Sequence, residues 1–109
     1  MEPEREQFDS LGDLFTALAA KLGEVNADVH GEITEYRRGE VRFALADSDG
    51  AELRLHPEIA EAARRTPSTA ACERGPEWVR FAPPEVDRHA LDRAEAWFLS
   101  AWRAAGQAR

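Results

Sequence analysis

The chain has 109 residues, 43% of them hydrophobic and 32% charged. That is enough for one domain with a single core and no metal or disulfide staples. Its net charge of −7 weighs against non-specific nucleic-acid binding, and its lone cysteine, Cys72, excludes an internal disulfide framework.

The acids crowd the front of the chain, and residues 1–8 read as a solvated leader ahead of a single domain over 9–106, with 107–109 a short tail. Ser10 with Asp13 forms a capping-box variant. Leu11, Leu14, Phe15, Leu18 and Leu22 then recur at helical spacing, so the pattern predicts a helix over 10–22, with Gly23 as its stop.

From Val29 to Leu55 the period falls to two. Val29–Gly31–Ile33, Val41–Phe43–Leu45 and Ala51–Leu53–Leu55 supply the apolar positions of three strands, with turns at 37–40 and 47–50. Pro57 suits a helix start, and Thr66–Pro67 ends that helix, with Ile59, Ala62 and Ala63 on one side. Residues 67–76 read as a loop with a short strand at 70–73, followed by a clear strand at 77–82 closed by Pro83–Pro84.

The last element, 87–105, is capped by Asp87. Ala90, Leu91, Ala94, Trp97, Phe98, Ala101, Trp102 and Ala105 fall within an arc of about 140° on it. The predicted fold class is α+β. An antiparallel meander of four to five strands is flanked by N-terminal, middle and C-terminal helices, all packed on one sheet face. The expected core is Leu11, Leu14, Phe15, Leu18, Val41, Phe43, Leu53, Leu55, Ile59, Val79, Phe81, Leu91, Phe98 and Trp102.

Residues Leu53–Ser100 run LRLHPEIAEAA, an irregular stretch, EWVRF, then DRHALDRAEAWFLS. This resembles the back half of the small YjbR/MmcQ-type bacterial proteins, where a strand enters a Pro-Glu helix start, followed by a Trp-bearing strand and a closing helix. It is also similar to short proteins labelled "luciferase family", through Ser68-Thr69-Ala70 and Gly75-Pro76-Glu77-Trp78-Val79. The first resemblance implies an α+β fold with a DNA-binding role and no defined reaction; the second implies no catalytic residues.

Cys72, His30, His56 and His89 are the inventory for nucleophilic or metal chemistry. None of the histidines has metal-binding spacing, and His30-x-Glu32 lacks the P-C-x-x-C partner of the deaminases. Asp47–Glu52 misses the calcium-loop positions and reads as a hairpin turn. No cofactor, metal site or catalytic residue is therefore expected.

The outer sheet face is the sharper candidate. Strict alternation turns Arg42, Arg54, Trp78 and Arg80 outward, with Tyr36 joining them if Ile33 points inward with no bulge between. Such a face suits a protein partner or self-association. Alternatively, arginines beside aromatics make a stacking platform for nucleic acid or another anion. Glu32, Glu52 and Glu77 could instead neutralise these arginines in cross-strand pairs. With a polar, acidic start and no long apolar run, the chain reads as cytoplasmic, probed by partners rather than by membrane.

Overall fold

The computed structural model describes residues 8–107. It contains helix α1 (Leu11–Lys21), strands β1 (Val25–His30), β2 (Ile33–Arg38), β3 (Val41–Ala46) and β4 (Ala51–Arg54), helix α2 (Pro57–Ala63), strands β5 (Thr69–Ala71) and β6 (Trp78–Phe81), and helix α3 (Arg88–Gln107). The strands form one six-stranded antiparallel sheet in the order β1-β2-β3-β4-β6-β5. The α+β architecture is as expected, with one strand beyond the four or five foreseen. Among the described residues no helix is long and apolar enough to cross a membrane.

Local chemistry explains the helix boundaries. The Ser10 hydroxyl accepts from the Asp13 amide at 3.1 Å, satisfying one of the orphan donors of α1. His56 Nδ1 accepts from the Glu58 amide at 3.3 Å, and Pro57 occupies the first turn of α2. The Asp87 carboxylate accepts from the Ala90 amide at 2.9 Å at the start of α3. At the end of α1 the left-handed residue is Glu24 (φ 68°), one position past the Gly23 stop.

The buried sides of the helices meet one sheet face. Phe98 is the hub: its ring lies 4.5 Å from that of Phe15, 5.2 Å from that of Phe43 and 5.5 Å from that of Tyr36, centroid to centroid. Leu53, Leu55, Val79, Phe81 and Leu91 complete this core. Three expected core members sit elsewhere. Ile59 is 38% exposed, because the two-turn helix α2 presents its small residues Ala60 and Ala63 inward. Val41 and Trp102 are half-buried at the margin, where Trp102 Nε1 donates to the Gly23 carbonyl at 3.2 Å. The proposed leader falls mostly on residues 1–7, outside the described ones; its last member, Phe8, packs against the core.

Two features of the sheet depart from the sequence reading. The alternation seen across 29–33 is not one strand: it bends at Gly31 (φ 64°) and Glu32 into the β1–β2 hairpin. In β3, Tyr36 pairs with Ala44 but Arg37 pairs with Arg42, so Phe43 is an extra residue and forms a bulge. The bulge lets both Phe43 and Ala44 face the helices. Beyond it the phase reverses, turning Ala46 inward and Leu45 to the opposite face, against the expected Val41–Phe43–Leu45 pattern.

Candidate functional site

With three helices on one side, the other face of the sheet carries the polar residues of alternate positions. Register defines a ladder across it: Asp28, Glu35, Leu45, Glu52, Arg80 and Ala70 lie opposite one another from β1 to β5. A second row beside it holds Asn26, Arg37 and Arg42, then Arg54 opposite Trp78. The face is thus striped, with carboxylates dominating one row across β1–β4 and guanidiniums the next.

The stripes are cross-linked. Glu35, 7% exposed, accepts from Arg37 Nε at 3.0 Å and Nη2 at 2.8 Å through one oxygen, and from Arg42 Nη1 at 2.8 Å through the other. The Arg42 hydrogen bond is the chief reason its carboxyl titrates below the usual range. Glu52 pairs with Arg74 and with Arg80, and Arg80 reaches Asp47 through two nitrogens at 3.1 Å. Burial alone would raise the Asp47 and Glu52 carboxyls; the Arg80 and Arg74 hydrogen bonds overcome it and hold both low. Arg54 Nε binds Glu77 at 3.1 Å.

Of the residues expected on this face, Arg42, Arg54, Trp78 and Arg80 are there. Trp78 is not an open platform, however. It is only 7% exposed, with the Arg42 and Arg74 guanidinium carbons 5.8 and 5.7 Å from its ring centroid. Tyr36 is on the other side altogether. Ile33 points outward, so Tyr36 turns inward, where it is fully buried and its hydroxyl bonds Thr16 at 3.0 Å and donates to the Gly12 carbonyl at 3.3 Å. Removal from water raises its pKa. Two of the three acids foreseen as neutralising partners, Glu52 and Glu77, take that role; the third, Glu32, lies in the hairpin turn, and Glu35, which was not foreseen, grips Arg37 and Arg42. Arg74 and Glu35 were missed by strand alternation. Glu35 was legible in principle, since it shares a face with Arg37 two residues on.

The remaining reactive groups disperse. His56 caps α2, and His89 is exposed in the first turn of α3. Cys72 lines a shallow depression of about 590 Å³ with Glu52, Arg74 and Arg80. Burial, then the neighbouring Glu52 carboxylate, pushes its thiol up, which works against the nucleophilic thiolate form. Asp28, His30 and Glu35 each offer one ligand atom within 4.8 Å of the others. Both Glu35 oxygens already serve arginines, so a cation there would compete with two guanidiniums. No family model, curated protein or solved structure matches the chain.

Proposed function

We propose that the protein is a non-enzymatic binding domain that acts through protein–protein contact at the open sheet face. One observation carries this: Glu35 is recessed while the two guanidiniums that grip it stand outermost. Arg37 and Arg42 have side chains 41% and 39% exposed, against 10% for Glu35. Arginine held in place by internal acids has already lost much of its rotamer freedom, so less is lost on docking. Arg and Trp are also the residue types that dominate the energetics of protein interfaces. The single free thiol is consistent with residence in a reducing cytoplasm.

The test is site-specific photo-crosslinking in the producing cell. A cross-linker at position 42 or 54 should trap one discrete adduct, lost when the other arginine becomes Glu. The same group at Arg103, on the exposed side of α3, should trap none. Absence of adducts from the sheet positions, or equal trapping from Arg103, would sink the proposal.

A second reading, nucleic-acid or anionic-ligand binding in the manner implied by the YjbR resemblance, draws on the same arginines. Among the described residues Arg42 and Arg54 each commit a single nitrogen to a carboxylate, leaving donors for an incoming oxyanion. It expects salt-sensitive retention of single-stranded DNA that Arg54→Ala and Trp78→Ala both weaken. The cover over Trp78 and the inward turn of Tyr36 deprive it of stacking surfaces, which is why it ranks second.

A further inference from the structure

We infer that β1 is a self-association edge, joining two copies of the chain through antiparallel β1–β1 pairing centred on Ala27. β1 is the terminal strand of the sheet, bonded only to β2. Among the described residues, no backbone hydrogen bond outside the sheet is made by any of its six residues. Every residue after Val25 is exposed, and Val29 is 71% exposed. No proline, lysine or bulge interrupts Val25–His30, and Asp28 is the one acidic side chain along it. A six-residue edge of this kind is a template for strand addition.

The sequence of the strand decides the occupant. Around Ala27 it is self-complementary. A two-fold axis there sets Val25 opposite the other copy's Val29, Ala27 opposite Ala27, and Asn26 opposite the other copy's Asp28. The valines and alanines lie on the helix side, which takes Val29 out of water. The Asn–Asp pairs lie on the other face, where an amide donor meets a carboxylate acceptor. At the strand end His30 falls beside the other copy's Glu24. Moving the axis one residue to Asp28 would instead set two carboxylates face to face, which costs stability. An isologous interface of this type is closed, so association stops at the dimer.

Asn26 and Asp28 border the open face, but the arginines on which the open-face reading rests take no part in the pairing, so the two proposals can fail separately. Sedimentation equilibrium of the full chain, from micromolar to submillimolar concentration, should give twice the 12.2 kDa monomer mass. Ala27→Lys places two ammonium groups together on the axis and should return the chain to a monomer while its thermal melt is retained. Arg54→Glu should leave the dimer intact. Ala27→Cys in a Cys72→Ser background should form an intermolecular disulfide on mild oxidation, since opposed residues of antiparallel strands lie within disulfide reach. Val29→Cys in that background should not, because it faces Val25. A wild-type monomer throughout, or a dimer that survives Ala27→Lys, overturns the inference. If Ala27→Lys fails to fold, the Ala27→Cys cross-link decides alone: its formation supports the pairing and its absence removes it.

Discussion

Glu35 shows how one residue can tie a surface together. Among the described residues it is the one charged side chain buried with the core residues, and it holds two arginines. Its lowered pKa, like those of Asp47 and Glu52, means that the folded state binds fewer protons than the unfolded chain as pH falls through the ordinary carboxylate range near 4.5. Stability is therefore full above that range and lost as pH drops through it. Urea melts at pH 6 and at successively lower values should show the loss beginning below about 4.5, and Glu35→Gln should flatten that slope. At neutral pH the same change should cost about 1–3 kcal/mol by leaving Arg37 and Arg42 with weaker acceptors. Tyr36→Phe removes the hydroxyl that bonds Thr16 and the Gly12 carbonyl; an expected cost of about 1 kcal/mol is measurable in the same assay. Gly50→Ala should be worse than either. A Cβ there would lie 2.5 Å from the Phe81 carbonyl oxygen, forcing β4 and β6 apart.

At the level of elements, the α3 stripe carries the most. Phe98 touches rings from α1, β2 and β3, so Phe98→Ala should cost about 3–5 kcal/mol in a denaturant melt, several times the effect of an edge substitution such as Trp97→Ala. The helices were readable because caps and a 3.6-residue period agree with each other at Ser10, Pro57 and Asp87. The sheet was readable as a sheet, but its phase was not. In Val29–Ile33 an unbroken alternation hides a turn that only the freedom of Gly31 permits. In Val41–Ala46 the run VRFALA satisfies either phase, since alanine is at home on both faces. The bulge at Phe43 therefore left no trace in composition. The misplacement of Tyr36 has the same origin: the turn after His30 sets which way Ile33 points, and so which way Tyr36 points. The candidate face was legible as far as Arg42, Arg54, Trp78 and Arg80. The loop residue Arg74 reaches it through the tertiary fold, beyond the reach of periodicity.

The molecule as a whole divides its chemistry between two sides and one edge. The helix side is dry and aromatic, the opposite side is a mesh of paired charges, and β1 is the longer of the two terminal strands, with no strand on its outer side. Because the mesh is ionic and partly exposed, raising salt should weaken it more than the core, and contacts made through Arg42 and Arg54 should be correspondingly salt-sensitive. Strand addition at β1 rests on backbone hydrogen bonds and valine burial, so the dimer should withstand salt. Sedimentation and cross-linking at low and high ionic strength would separate the two surfaces.

The supernumerary phenylalanine in β3 has a consequence for how this chain tolerates change. It works as a phase shifter, so the half of the strand before it and the half after it answer to different neighbours. Deleting Phe43 would open a hole beside α3, yet it would leave Arg42 opposite Arg37 and Ala44 opposite Tyr36 as consecutive pairs, each still on its own face. The deletion should therefore cost the hub one ring without reversing the strand, whereas replacing Phe43 by leucine keeps the bulge and part of the packing and should cost less, a contrast that trypsin resistance of the two variants would reveal.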